Sequence, residues 1–226
     1  MSAVVALSGG MDSATVLAKA IEEYGPDKVC AVGFQYGSKH NVLELQAARQ
    51  IAIEMDVDFE FLDVRSLFNK SSSALMDKTK SVPEGYYEAE TMRQTVVPGR
   101  NLIFLSILAS LAENRKAETV WTGIHAGDHF IYPDCRPAFF DAANAAIWAS
   151  TDQKVRLRAP FLNETKLEIL QYGVAVGVPY HMTRTCYTNQ PTACGKCGSC
   201  QERLTAWARL GQPDPIEYES RALIQP

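Results

Sequence analysis

No stretch of this 226-residue sequence approaches the roughly 18 uninterrupted apolar residues of a membrane-spanning helix. The opening residues, MSAVVALSGGMDS, have neither a basic region nor a long apolar run, so no secretory signal is expected. Internal repeats and low-complexity tracts are lacking too. Nor is there an excess of positive charge. The 22 Lys and Arg against 26 Asp and Glu give a formal net charge of −4, with the basic residues scattered. That excludes a general attraction to nucleic acid or anionic lipid. These absences predict a cytoplasmic protein acting on small molecules, with no nucleic-acid and no membrane partner. Cytoplasmic thiols stay reduced, so the six cysteines are not expected to form disulfides. With 46% hydrophobic and 21% charged residues, the chain is ordinary globular protein, long enough to bury a core without them.

What is present is an alternation. AVVAL (3–7), VCAVGFQY (29–36), FEFLDV (59–64) and ETVWTGI (118–124) read as strands. A helix is predicted from Asp12, with Val16, Leu17, Ala20 and Ile21 on one face. NVLELQAARQIAIEM gives a second, with Leu43, Ala47, Ile51 and Met55 inward. Further helices are expected at 102–117, 136–150, 164–176 and about 200–210. Strands alternating with helices, the first strands almost continuously apolar, predict an α/β fold. The sheet would be Rossmann-like and parallel, with helices on both faces and a small zinc-binding helical segment at the C-terminal end. Residues 1–180 are expected to form the nucleotide-binding domain and 181–226 the metal-binding segment packed on it. An irregular stretch at 66–99 interrupts the first part. A loop that long is usually functional, here a lid or an interface.

In an open parallel sheet, ligands bind outside the C-terminal ends of the strands. SGGMDS (8–13) stands at that point after the first strand. Gly9 and Gly10 let backbone approach an anion closely. The helix start behind them offers free N–H groups, and Ser8 and Ser13 add hydroxyls. Asp12 would repel phosphate unless a divalent cation lies between, which points to Mg²⁺. The Lys-Ser/Thr pair of G-x-x-x-x-G-K-[ST] is missing, and G-x-G-x-x-G does not fit either. The competing reading is a plain strand-to-helix turn with Asp12 or Ser13 as its N-cap.

At the other end, TCYTNQPTACGKCGSC (185–200) places Cys186, Cys194, Cys197 and Cys200 in the spacing C-x7-C-x2-C-x2-C. The short spacings let consecutive thiolates converge on one ion, and Gly195 and Gly198 permit the tight turns. Four thiolates suit a closed, structural zinc site. An iron–sulfur cluster also takes four. Spacing favours zinc and leaves both open. Cys30, inside an apolar strand, reads as core packing, while Cys135 has no assigned role.

LSGGMDS (7–13) resembles the signature loop of the N-type ATP pyrophosphatases, the PP-loop superfamily. Together with YGSKH (36–40), VPGRN (97–101), YPDCR (132–136) and the cysteine segment, it makes the chain resemble the 7-cyano-7-deazaguanine (preQ0) synthase family over nearly its whole length. The family's commoner forms are YGQRH and DFSGYPDCR, where this chain has YGSKH and DHFIYPDCR. The resemblance implies an ATP-dependent C–N ligase of queuosine or deazapurine nucleoside biosynthesis, commonly a homodimer. Its reaction joins 7-carboxy-7-deazaguanine and ammonia into a nitrile, through two adenylations and an amide. It implies ATP along Leu7, Ser8, Gly9, Gly10, Met11, Asp12 and Ser13, with adenine at Phe34 and Tyr36 and Mg²⁺ at Asp12. Asp12, Ser13, Arg100 and Lys166, the last in PFLNETKLEI (160–169), are the implied catalytic residues. Arg100, Asn101, Asp128, Tyr132, Asp134 and Arg136 are the implied substrate contacts. Asp134 would accept from a guanine-like base, and as an Asp in a Tyr-Pro-Asp turn it reads equally as an N-cap. Arg100 has a solvated helix-start reading beside it. His40 is a candidate for an acid–base step, whereas His125 and His129 read as loop histidines. An enzyme stopping at the amide and a PP-loop tRNA thiolase are the alternatives, the second disfavoured by the negative charge. No glutaminase domain is visible, so free ammonia is the expected nitrogen source.

Overall fold

The computed structural model describes residues 2–223. Strand and helix alternate along the chain: β1 (Ala3–Ala6), α1 (Met11–Tyr24), β2 (Val29–Gln35), α2 (Asn41–Glu54), β3 (Asp58–Asp63), α3 (Arg65–Phe68), α4 (Arg100–Asn114), β4 (Thr119–Trp121), α5 (Pro137–Ser150), β5 (Arg156–Arg158), α6 (Lys166–Ala175) and α7 (Gly198–Leu210). The sheet runs β3-β2-β1-β4-β5, and each neighbouring pair is parallel. From β1 the chain first builds outward through β2 and β3, then returns to β1's other side for β4 and β5. The order therefore reverses between β1 and β4, and a crevice opens beyond their C-terminal ends.

Alternation along β1 divides the core in two. Ala3 and Val5 face α1, α2 and α6, with Leu17, Ile51 and Ile169. Val4 faces α4 and α5, with Leu105, Leu108 and Ile147. A strand covered on both faces needs apolar residues at every position, which is why AVVAL is continuous. β5 has no such run. Only Leu157 is buried between two exposed arginines, and this edge strand went unpredicted. On α2, Ala47 and Ile51 are buried as expected, but Leu43 and Met55 are only half-buried, and Ala48 and Ala52 complete the inner face.

The stretch 66–99 is fastened rather than loose. Ala74 N–H donates to the Gln94 carbonyl at 2.7 Å and Gly85 N–H to the Lys196 carbonyl at 3.0 Å. Leu75 and Met92 are buried. The C-terminal segment is likewise tied to the sheet. Ala206 and Trp207 of α7 share the core of α1 and α6. Arg203, fully buried, donates to Asp214 through two nitrogens at 2.7 and 2.8 Å and to the Thr183 hydroxyl at 2.6 Å. Among the described residues, no helix is long and apolar enough to cross a membrane.

Candidate active site

Residues 7–10 join β1 to α1 at the mouth of the crevice. Gly9 has φ of 88°, a left-handed value that disfavours any side chain, and a Cβ there would also lie 2.9 Å from the Ala48 amide nitrogen. Its carbonyl accepts from Arg184 N–H at 2.7 Å. The Ser13 hydroxyl donates to the Gly10 carbonyl at 3.1 Å and accepts from Ser8 N–H at 3.2 Å. The two serine hydroxyls lie 3.0 Å apart. Gly123, just past β4, brings that strand's end against the loop: a Cβ there would sit 3.2 Å from Ser13 N.

The cavity above this loop has a charged end. Lys166 Nζ lies 2.6 Å from Asp12 Oδ2 and 3.1 Å from Glu202 Oε2. Its place is set by local sequence. Thr165 accepts from Glu168 N–H while Glu168 accepts from Thr165 N–H, a capping box that starts α6. Lys166 is thus the first residue of a helix, where the dipole disfavours a cation, and it is buried. Burial alone would lower its pKa, but Asp12, Glu202 and Asp128 outweigh that and hold the ammonium charged. Burial pushes the Asp12 carboxyl up, and Lys166 and His125 bring it below its usual value. Burial leaves the Glu202 carboxyl raised, although Lys166 beside it pulls the other way. His125 Nε2 stands 3.7 Å from Asp12 and 3.5 Å from Asp128, while its Nδ1 accepts from Gly127 N–H at 3.1 Å. Tyr87 donates to Asp128 at 2.5 Å. Asp12 Oδ1 is buried without a hydrogen-bond partner. An anionic oxygen left over beside a phosphate-sized loop fits a hard divalent cation.

The rest of the cavity is aromatic. Phe34 stacks on Phe104 with ring centres 4.0 Å apart and planes at 5°. Tyr36 accepts from Arg100 at 3.3 Å. Tyr132 bonds the Thr95 hydroxyl at 2.7 Å and Tyr187 at 3.3 Å. Asn101 Nδ2 donates to the Cys135 sulfur at 3.2 Å. Burial pushes that thiol well up, with Asp128 and Asp134 adding to the effect. It stays protonated.

The four C-terminal cysteines form a separate centre. Their sulfurs all lie within 4.8 Å of one another, and all four residues are buried. Cys186 Sγ accepts from the backbone N–H of Thr188 and Cys194, at 3.5 and 3.3 Å. Cys194 Sγ accepts from those of Lys196 and Cys197, at 3.4 and 3.3 Å. N–H donors favour thiolate over thiol. The cluster can hold one metal ion, and its all-sulfur donor set fits a soft or borderline one.

A family model for "Queuosine biosynthesis protein QueC" matches residues 2–211. The chain belongs to that family. It is 44% identical over 218 residues to a 7-cyano-7-deazaguanine synthase of Hahella chejuensis, covering 96% of this chain and 93% of that protein. With 7-cyano-7-deazaguanine synthase 2 of Colwellia psychrerythraea it shares 45% over 216 residues, 95% of this chain and 97% of the relative. Among solved structures, NMN synthetase from Francisella tularensis superposes with a TM-score of 0.52 at 15% identity, covering 94% of this chain and 78% of that one. Glutamine-dependent NAD+ synthetase from Acinetobacter baumannii gives 0.51 at 18%, covering 82% of this chain and 32% of that one. At those identities the likeness is one of fold.

In this QueC-family chain one cavity gathers Leu7, Ser8, Gly10, Asp12, Ser13, Phe34, Tyr36, Arg100, Asn101, Asp128, Tyr132 and Lys166 from the residues singled out in the sequence. Four expected residues do not line it. Gly9 packs against α2. Met11 is fully buried in the core beneath the loop. Asp134, expected at a guanine-like base, instead accepts from Asn101 N–H at 2.9 Å at the start of α4. Arg136, expected at the substrate, is exposed and donates to the His129 carbonyl at 2.8 Å. Conversely, Glu44, Tyr87, Tyr187 and Glu202 line the cavity and were not foreseen. Tyr187 and Glu202 stand one and two residues from cysteines of the cluster, the one signal that could have found them.

Proposed function

We propose that the chain converts 7-carboxy-7-deazaguanine and ammonia to 7-cyano-7-deazaguanine, consuming two ATP and releasing two AMP and two pyrophosphate. One observation carries this reading. A single cavity at the sheet's switch point joins a charged, loop-lined end to an aromatic end, in a chain whose relatives bear the name of that product.

The chemistry asks for activation rather than a nucleophilic side chain. A carboxylate carbon is a poor electrophile, and oxide cannot leave. The substrate carboxylate oxygen attacks the α-phosphorus of ATP, an O–P bond forms, and pyrophosphate departs with the electrons of the bond it loses. Ser8, Gly10, Ser13 and the N-terminus of α1 receive the phosphates. Asp12 would hold Mg²⁺ through the oxygen that has no other partner; bound there, the ion neutralises phosphate charge. When Asp12 turns to that ion, Glu202 keeps Lys166 in place to meet a phosphate. Phe34 and Tyr36 offer the adenine an apolar wall, and Arg100 faces the substrate carboxylate. Ammonia then displaces AMP to give the amide. A second adenylation on the amide oxygen lets it leave as AMP with formation of the nitrile. Catalysis is positioning and charge stabilisation throughout.

The cysteine cluster holds zinc in this reading and has a structural role, setting Tyr187 and Glu202 against the cavity. A sulfur-transferring thiolase is less well supported, because Cys135 is the one cysteine that lines the cavity and its thiol is held protonated. Mass spectrometry of the purified protein with ATP, Mg²⁺, ammonium and 7-carboxy-7-deazaguanine tests the proposal. Nitrile with two AMP per turnover is expected. Accumulated amide with one AMP would assign the amide-forming variant, and no acid-dependent AMP would overturn the substrate.

A further inference from the structure

Three histidines stand in or beside the cavity, and they differ in what their nitrogens do. His125 has both nitrogens engaged, one by Gly127 N–H and the other between Asp12 and Asp128. His129 has a buried nitrogen without a partner, Nε2, but the residue is only half-buried and does not line the cavity. His40, at the N-cap of α2, is 1% exposed and does line it. Its Nε2 lies 3.4 Å from the Ser38 hydroxyl and 3.4 Å from Glu44 Oε1, one turn along the same helix. Its Nδ1 is buried with no partner at all.

A neutral imidazole has one N–H and one lone pair. With a carboxylate beside Nε2, the hydrogen belongs there, and the free lone pair is on Nδ1. A buried acceptor with no donor is disfavoured in a resting protein, so this ring is poorly explained as packing. A carboxylate behind one nitrogen and nothing on the other is the arrangement of an oriented base. The groups around it come from three places. Glu44 shares its helix, and its carboxylate acts in turn on Tyr36, the residue after β2, which accepts from Arg100 at the start of α4. Tyr187, from the cysteine segment, lies with its ring 5.3 Å from the imidazole.

We infer that His40 is the general base that takes protons from the substrate nitrogen, with Glu44 as its positioning carboxylate. The inference rests on the reaction proposed above, which must shed protons from nitrogen twice while AMP departs. When ammonia adds to the acyl adenylate, a C–N bond forms, one N–H proton passes to Nδ1, and the C–O bond to AMP breaks with its electron pair on the phosphate. The adenylated amide, after loss of its first proton, is R–C(=NH)–O–AMP. His40 removes the last N–H proton, that bond's electrons become the third C–N bond, and AMP again leaves with the C–O pair. Each proton moves on to solvent before the next event.

His40→Asn keeps a polar group near the ring position and cannot carry a proton. Its nitrile kcat should fall by about 100-fold or more, the usual range for a lost general base. The KM for ATP should stay close to that of the unsubstituted chain. Acid-dependent pyrophosphate exchange should persist, since the first adenylation does not use the base. Amide should accumulate, because excess ammonia can replace the base in the first displacement and not in the elimination. In His40→Ala, added imidazole should restore part of the rate. The acidic limb of the kcat profile should flatten in His40→Asn and shift in Glu44→Gln. If His40→Asn does not fold, the Glu44→Gln profile carries the test, and an unmoved limb overturns the base. Nitrile formation by His40→Asn within a few-fold of the unsubstituted rate overturns it as well. Absence of acid-dependent AMP from the unsubstituted chain overturns the reaction and the base together, whereas a normal parent with an indifferent variant removes the base alone.

Discussion

At the glycine loop, a carboxylate oxygen of Asp12 is buried without a partner and Lys166 is charged at the unfavourable end of a helix. At the cysteine cluster, by contrast, Cys186 and Cys194 each accept two backbone N–H groups, and the four buried sulfurs face one another. Both regions depend on glycines and tight turns, yet only one leaves polar groups waiting. The contrast separates reaction from bracing. Groups held in poor company at rest are those that a ligand completes, while four buried sulfurs that face one another and could hold one ion have nothing to offer a substrate. The two regions meet through α7, which carries Cys200 and, two residues on, Glu202 against Lys166.

Metal removal should break the comparison most severely. A structural zinc site in a small domain contributes on the order of 10 kcal/mol of apparent binding energy at neutral pH. Cys197→Ser, or chelation of the purified protein, should release the ion and unfold the C-terminal segment, read as metal content by elemental analysis and as a lowered Tm. Unchanged Tm in metal-free protein would show that the cluster does not brace anything. Lys166→Met comes next and acts on the other region. It should reduce acid-dependent pyrophosphate release by about 10²–10³-fold, the usual loss for one preorganised charge at a developing anion, with one metal per chain retained. Equal loss of metal and activity in this variant would erase the distinction between the two regions.

Much of this was legible because the chemistry is contiguous. SGGMDS contains its own turn, hydroxyls and carboxylate, and PFLNETKLEI places Lys166 near the start of the helix expected over 164–176. The cysteine spacing announces a four-sulfur metal centre in the same way. What stayed hidden is what only folding brings together. Glu202 reaches Lys166 from 36 positions further on, and nothing in the periodicity of α7 says which face turns to the loop. β5 was unreadable because a three-residue edge strand with one buried leucine carries no run. His40 was visible as a lone histidine in YGSKH, but its meaning lies in the Nδ1 that nothing satisfies. The stretch 66–99 was read as a lid or an interface because it lacks periodicity, and only folding shows the Ala74 and Gly85 amides bonded to the Gln94 and Lys196 carbonyls.

YPDCR sharpens the lesson at its smallest scale, because neighbouring residues of one motif part ways. Tyr132 and Cys135 line the cavity. Asp134 accepts from Asn101 N–H, 33 residues earlier, and so satisfies one of the open donors at the start of α4. Its replacement in Asp134→Ala should reduce stability by about 1 kcal/mol, the usual effect of a lost helix cap, and should disturb activity only as far as the start of α4 carries Arg100 with it. Arg136 is exposed, donates to the His129 carbonyl and does not line the cavity. Arg136→Ala should therefore change stability by no more than about 0.5 kcal/mol and leave the KM for the deazaguanine acid where it was. A large rise in that KM would mean that Arg136 swings inward when substrate binds, and that the resting structure has one more waiting group than its hydrogen bonds reveal.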